Sequence, residues 1–220
     1  MIVPDKIIRS ARKTLAVSVD PFGRVTVRAP KSCSEERIFS FLRKKEAWIL
    51  RTKSKMQRAG IDLPPENLDG YAFLLLGQRY EITLVNERFV RLDDMQKRIY
   101  LPEKKAKDRL VQWLKENAKR ILSTVTERKA REMQTSYKSV TVNSARGRWG
   151  SCSYDNALHY SFRLLFAPKD VVEYVVVHEL AHTKHKNHSA AFWQEVEKYV
   201  PDYREKRKWL KDRGILMQVF

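Results

Sequence analysis

The chain has 220 residues, of which 43% are hydrophobic and 32% charged, with 7 glycines and 8 prolines. This length and composition predict one large or two small folded domains and exclude disordered and fibrous classes. Lysine and arginine number 44 against 26 acidic residues, a net charge of +18, which favours polyanionic partners such as nucleic acid, nucleotides or acidic protein segments.

Cysteine spacing and hydropathy bear on the compartment. Cys33 and Cys152 lie far apart and follow no paired spacing, so neither a disulfide framework nor a cysteine zinc cluster is predicted. The first ten residues lack the apolar run of a signal peptide, and no later run approaches the roughly 18 apolar residues of a membrane span. We therefore expect a cytoplasmic protein that does not associate with membranes.

The N-terminal part of the chain alternates apolar and polar residues over 14–19 and 25–28. Asp20, Pro21 and Gly23 between these runs are turn residues, so the pattern predicts a β-hairpin.

A long helix is predicted next. Ser32 followed by Glu35 resembles a capping box, and residues 35–58 carry apolar side chains at helical spacing. The segment 60–70, rich in proline and polar turn residues, is a predicted linker. Four short β-type runs follow, and with the hairpin they predict a small antiparallel sheet. These runs are 71–76, 80–85, 89–92 and 98–101.

The second half begins with residues 106–133, which contain no glycine or proline and predict a long helix. Strands are predicted at 140–143 and 158–165, and Pro168 with Asp170 is typical of the start of another helix. The fold class predicted is α+β. We expect a β-rich N-terminal domain with one long helix over 1–104 and a second domain over 105–220.

The helix predicted after Pro168 contains His178, Glu179 and His182 in the HExxH arrangement. Residues four apart share one helix face, so both imidazoles can bind one metal ion while the glutamate lies beside the open coordination position. Zinc lowers the pKa of a bound water to roughly 7, and a neighbouring glutamate can accept its proton. The motif therefore predicts a zinc-dependent hydrolase with one Zn²⁺ per chain and Glu179 as the general base.

The third metal ligand has several candidates. His185 would share the helix face, but three ligands along one straight helix give poor tetrahedral geometry. Asn187 tolerates a left-handed conformation and can end the helix, after which His188 can turn back towards the metal as Ser189 begins the next helix. His188 is the favoured ligand. Two carboxylates of the following helix are alternatives: Glu195 and Glu197.

The loop before residue 152 and the strand after it offer candidate substrate contacts. Glycines there permit close approach of a partner, and an extended peptide can add along such an edge through main-chain hydrogen bonds. Arg146 or Arg148 can bind a carboxylate or phosphate. His159 is either a substrate contact from the strand or a core histidine.

Three segments together resemble the YgjP-like metal-dependent hydrolases, relatives of the SprT-like and Wss1-like zinc metalloproteases. They are HELAHTKHKNHSAAFW, RWGSCS and LHYSFRLLFAP. The resemblance implies a zincin-like C-terminal domain, His188 as the third ligand, and a β-hairpin over the active-site helix from segments around 140–152 and 159–165. Thr183 departs from the family pattern, which usually has an apolar residue there.

Three functions follow from these residues. The first is a metallopeptidase in which Glu179 activates a zinc-bound water to attack a polypeptide. The second is a metal-dependent hydrolase of nucleotide phosphoanhydrides, of pyrophosphatase type, in which basic residues bind the phosphates. The third is a nucleic-acid-associated protein with structural zinc, which would give Glu179 no role.

Overall fold

The computed structural model describes residues 2–19, 23–58 and 64–220. Contacts divide the chain into two compact units, Met1–Leu63 and Pro64–Phe220. The expected domain boundary after residue 104 differs from this division, because the strands before residue 104 contact elements of the second half. Asp20, Pro21 and the 60–63 part of the predicted linker lie outside the described residues.

Within its described residues, 2–19 and 23–58, the first unit contains a three-stranded sheet and one helix. The strands are β1 (Lys6–Ser10), β2 (Ala16–Val19) and β3 (Val25–Pro30), in the order β1-β3-β2. The antiparallel pairing of β2 with β3 confirms the predicted hairpin. Strand β1, which was not predicted, pairs with β3 in parallel.

The core of the first unit lies between this sheet and α1 (Glu35–Arg58), whose bounds agree with the prediction. Alternate residues of β3 point inward and pack against apolar residues of the helix. This follows from the periods of the two elements, about two residues for a strand and about 3.6 for a helix. The predicted cap at Ser32 is wrong. Ser34 Oγ instead accepts a hydrogen bond of 3.3 Å from the backbone N–H of Arg37.

The second unit begins with a four-stranded sheet in the order β4-β5-β7-β6. Its strands are β4 (Ala72–Leu75), β5 (Gln78–Val85), β6 (Arg91–Asp93) and β7 (Arg98–Pro102). The four predicted runs are therefore strands, but the expectation of one antiparallel sheet is wrong. This sheet is separate from that of the first unit, and β5 pairs with β7 in parallel.

The long helix α2 (Ala106–Glu132) leads into a second small sheet with the order β8-β10-β9. Strand β8 (Ser139–Asn143) pairs with β10 (Ala157–Ser161) in parallel, and β9 (Gly150–Cys152) pairs with β10 antiparallel. The predicted strand 158–165 ends at Ser161 because a 3₁₀ helix, Phe162–Phe166, follows. Since β9 has one neighbour, it is an edge strand.

Three helices complete the second unit: α3 (Lys169–Lys184), α4 (Ala190–Tyr199) and α5 (Tyr203–Asp212). Helix α3 is buried on most of its circumference, with nine buried residues between Val171 and Ala181. A helix that is apolar nearly all round occupies a core, and α3 contacts α2, α4, α5 and β9. None of the described helices is long and apolar enough to span a bilayer.

Candidate metal centre

Three histidines converge beside α3. His178 and His182 lie one turn apart on this helix, with ring centroids 5.1 Å apart. His188 belongs to the connection between α3 and α4, and its Nε2 lies 3.1 Å from Nε2 of His178. One possible ligand atom from each histidine lies within 4.8 Å of the others. The side chains that the sequence singled out as metal ligands therefore meet at one point.

The chain turns back to bring His188 here, but not by the predicted route. Helix α3 ends at Lys184, and His185 is extended, with φ −127° and ψ 103°. Asn187 does not adopt the left-handed conformation expected of it. Ser189 Oγ then accepts a hydrogen bond from the N–H of Phe192 and caps α4, as predicted.

The backbone of this turn also orients one of the histidines. Nδ1 of His182 lies 2.9 Å from the carbonyl oxygen of His185. Donation of the Nδ1 proton to this oxygen leaves the Nε2 lone pair of His182 free for a ligand, as in metal sites whose histidines are fixed by a second hydrogen bond. His185 thus acts through its backbone, and its side chain lies outside the cluster.

The donor set fits a zinc ion. Nitrogen ligands about 2.0–2.1 Å from a tetrahedral zinc lie roughly 3.3 Å apart, close to the observed Nε2 to Nε2 distance of 3.1 Å. Burial lowers the pKa of His178 to about 3, with smaller contributions from the charges of the other two histidines and of Arg207. Burial also lowers the pKa of His182. Both rings are therefore neutral at pH 7, the form that binds metals.

Aromatic side chains of α4 pack around the three imidazoles. The ring of Phe192 lies 4.5 to 4.9 Å from each of them, and Trp193 stacks on His188 at 5.6 Å. Buried Phe192 thereby excludes water from one side of the cluster and restricts the rotamers of the histidines.

Glu179 belongs to α3, and its side chain points towards the edge strand β9. Its side chain is buried, with 6% of the residue exposed. Burial raises the pKa of its carboxyl group to about 8, against the opposing positive charge of Arg148. A Cβ placed on Gly150 would lie 2.7 Å from Glu179 Oε1 and 2.8 Å from its Cγ. Position 150 must therefore be glycine for the carboxylate to occupy this place.

The three residues predicted to contact substrate have different surroundings in the structure. Arg148 is exposed, and its charge acts on Glu179. Arg146 instead donates a hydrogen bond of 3.1 Å to the carbonyl oxygen of Phe220. His159 Nδ1 lies 2.5 Å from Thr141 Oγ1. Strand alternation directs this histidine to the face of β10 opposite Tyr160, the register partner of Gly150. Of the three, Arg148 is the residue whose positive charge acts on the carboxyl group of Glu179.

The carboxylates considered as third ligands do not join the histidine cluster. Glu195 accepts a hydrogen bond of 2.6 Å from Lys184 Nζ, and Glu197 is exposed on α4. Sequence reasoning did not identify the contact between Gly150 and Glu179, nor the position of Arg207 near the histidines. The glycine in RWGSC, next to a predicted strand, indicated that another group approaches the backbone closely. The sequence did not indicate that this group is the side chain of Glu179.

A buried arginine holds the segment before β9 in place. Arg163 donates to the carbonyl oxygens of Ser144 and Val219, at 3.0 and 2.9 Å, and to that of Phe220. These bonds join the start of the loop 144–149 to residues 219 and 220. The backbone that faces Glu179 is thus fixed at its beginning by a side chain of the 3₁₀ helix.

Comparisons with known proteins identify the family of the chain. The family model of the YgjP-like metallopeptidase domain matches residues 13–213. The metallopeptidase zymogen abylysin of Pyrococcus abyssi is 22% identical, covers 41% of this chain and 92% of its own, and superposes with a TM-score of 0.38. The zymogen jannalysin of Methanocaldococcus jannaschii is 16% identical over 42% of this chain and 95% of its own, with a TM-score of 0.39. No curated protein matches. Because the family model spans most of its length, the chain belongs to the YgjP-like metallopeptidase family.

Proposed function

We propose that the chain is a zinc peptidase in which His178, His182 and His188 bind one zinc ion and Glu179 is the general base. The observation that carries the proposal is the convergence of three imidazoles, within 4.8 Å of one another, next to a buried carboxylate. Three protein ligands leave a fourth coordination position for a reacting molecule, which distinguishes a catalytic site from a closed structural one.

The zinc ion and the residues around it would have different roles in the reaction. When bound, zinc supplies Lewis acidity that polarises a carbonyl and acidifies water, and a positive charge that lowers the pKa of the nearby carboxyl group. Glu179 then accepts the proton of the attacking water and transfers it to the nitrogen of the leaving amine. The contact with Gly150 restricts the positions of the carboxylate, and Phe192 excludes water from one side of the histidine cluster.

The edge strand β9 favours a polypeptide as the substrate. It pairs with β10 on one side and with no strand on the other, so an extended chain could add there through main-chain hydrogen bonds. Its first residue, Gly150, touches Glu179, so such a chain would pass the general base. Arg148, two residues earlier, is exposed and can hold a carboxylate or carbonyl of the substrate.

The nucleotide alternative has less support. Hydrolysis of a phosphoanhydride needs several cations that bind the phosphates. Of the two arginines in the loop 144–149, Arg146 already donates a hydrogen bond to the carbonyl oxygen of Phe220. Arg148 is therefore the better candidate of the two for binding a phosphate. A nucleic-acid partner for the basic surface stays a prediction.

The test compares wild type with Glu179→Gln, with Glu197→Gln as a matched control on an exposed glutamate. Zinc per chain is measured by elemental analysis, and hydrolysis by release of peptides from casein and from a quenched-fluorescent peptide library. We expect one zinc in all three proteins and a loss of about 10²–10⁴-fold in turnover for Glu179→Gln alone. Unchanged turnover in Glu179→Gln, or no zinc in the wild type, would overturn the proposal.

A further inference from the structure

Arg207 of α5 lies beside the metal centre without being part of it. Its Cζ is 5.0 Å from the centroid of the Trp193 ring. Trp193 in turn lies 5.6 Å from the ring of His188 and 5.7 Å from that of His178. One aromatic ring therefore separates the guanidinium group from the histidines.

The position of Trp193 is fixed by its neighbours. Its ring stacks on Tyr203 at 5.1 Å with an interplanar angle of 18°. Tyr203 is buried, and Trp193 is half-buried at the edge of the histidine cluster. An arginine packed on such a ring is held by the cation–π interaction, so it loses less conformational entropy when it binds an anion.

Basic residues of α5 differ in whether they already have partners. Lys206 forms ion pairs with Asp170 and with Asp202. Arg204 donates to the hydroxyl of Tyr203 at 3.2 Å. Arg207 is exposed, and within the described part of the chain no carboxylate oxygen lies within 4 Å of its nitrogens. The guanidinium group that packs on Trp193 is thus available to a ligand.

We propose that Arg207, supported by Trp193, recognises a carboxylate of the peptide substrate and so determines specificity for acidic peptides. The proposal rests on the peptidase function proposed above. An arginine fork binds a carboxylate through two parallel hydrogen bonds. The two ring contacts, of 5.0 Å and 5.6 Å, separate the guanidinium group from His188. An extended chain that rises roughly 3.3 Å per residue would cover this separation with about two or three residues between the carboxylate and the peptide bond next to the histidines.

Arg148 makes an acidic substrate more favourable still. It lies on the Glu179 side of the site, is exposed, and makes no ion pair with a described residue. Two available cations therefore flank the site. The carboxylate itself has two possible sources, an acidic side chain or the C-terminus of the peptide.

Binding separates these sources without requiring turnover. The proteins are zinc-loaded Glu179→Gln and the same protein carrying Arg207→Glu or Lys208→Glu. Lys208 is exposed one residue further along α5, so the control makes the same change in net charge. The probes are three fluorescein-labelled decapeptides of alanine and serine: amidated with two glutamates, amidated with two glutamines, and with two glutamines and a free C-terminus. Fluorescence anisotropy gives the dissociation constants.

We expect the glutamate peptide to bind at least about tenfold more tightly than the amidated glutamine peptide. Arg207→Glu should remove this difference and Lys208→Glu should keep it. Tighter binding of the free C-terminus instead of the glutamates would overturn specificity for acidic side chains and assign the site to a terminal carboxylate. Equal binding of all three peptides, or the same preference in Arg207→Glu, would overturn the proposal.

A digestion experiment gives the second readout. Wild type, Arg207→Glu and Lys208→Glu cleave a proteome-derived peptide library, and mass spectrometry gives the residues around each cleaved bond. We expect acidic residues enriched two or three positions from that bond, except in Arg207→Glu. If Arg207-dependent binding is found but no variant cleaves any peptide, the peptidase function fails while carboxylate recognition stands. If wild type cleaves peptides without enrichment of acidic residues, the peptidase function stands while carboxylate recognition by Arg207 fails.

Discussion

The two sides of the candidate site contribute to it in different ways. The helical side, residues 169–189, supplies side chains: three histidines and one carboxylate around α3. The strand side, residues 144–161, supplies mainly backbone, because Gly150 leaves space for Glu179 and β9 has no paired strand on one side. Lys186 joins the two sides by donating to Ser153 O at 3.2 Å and to Asn156 Oδ1. The identity of the residues on α3 thus provides the reactive groups. The position of the β9 backbone determines whether the Glu179 side chain can occupy its place.

Removing a histidine should have the largest effect on the helical side. We expect His188→Ala to weaken zinc binding by more than about 100-fold, because even outer partners of metal ligands contribute 10–100-fold. Competition with a chromophoric chelator measures the affinity. His185→Ala is the matched control, since only the backbone carbonyl of His185 contacts His182. Equal affinity in the two variants would contradict His188 as the third ligand.

A methyl group on the strand side should impair catalysis and spare the metal. The Cβ of Gly150→Ala would lie 2.7 to 3.0 Å from three atoms of Glu179 and displace its carboxylate. Because a misplacement of about 1 Å can cost 10²-fold, we expect kcat/KM to fall about 10–100-fold with zinc affinity unchanged. Gly147→Ala should be neutral, since nothing lies within 4 Å of its Cβ position. Lost zinc in Gly150→Ala would show that the two sides are not separable.

Breaking the anchor of the strand side should lower stability. Arg163→Leu removes hydrogen bonds to three carbonyl oxygens around a buried side chain. Leaving such groups unpaired should reduce the free energy of unfolding by about 2–4 kcal/mol, measured by urea denaturation. Arg146→Leu removes one bond from an exposed arginine and should cost less than about 1 kcal/mol. Similar losses in both variants would refute the special role of Arg163.

The smallest effect concerns the turn between β9 and β10. Hydrogen bonds from Lys138 and Ser153 lower the pKa of Asp155 to about 2 from its ordinary 3.8. The stabilisation is therefore complete above the unfolded pKa and is lost as the pH falls towards 2. Thermal unfolding should show wild type slightly more stable than Asp155→Asn at pH 6, with the difference shrinking at pH 3. A difference independent of pH would exclude this ion pair as its cause.

Local patterns were enough to predict most elements of the fold. The helices α1 and α2 match their predicted bounds within one residue, because their apolar spacing is sustained over many turns. Pairing was not predictable in the same way. Strand β1 joins β3 in parallel, and β5 joins β7, because such pairing depends on contacts between residues distant in sequence. The 3₁₀ helix Phe162–Phe166 also replaced the second half of a predicted strand, since a short and mostly apolar run such as FRLLF fits either structure.

The HExxH spacing alone predicts that two imidazoles and a carboxylate share one helix, because the helical period is a local property of the chain. The surroundings of these three side chains, by contrast, follow from tertiary packing. His188 reaches the cluster through an extended residue at His185, Gly150 meets Glu179 across two elements, and Arg207 reaches the histidines through Trp193. Packing between distant segments fixes these contacts, and no spacing along the chain encodes them.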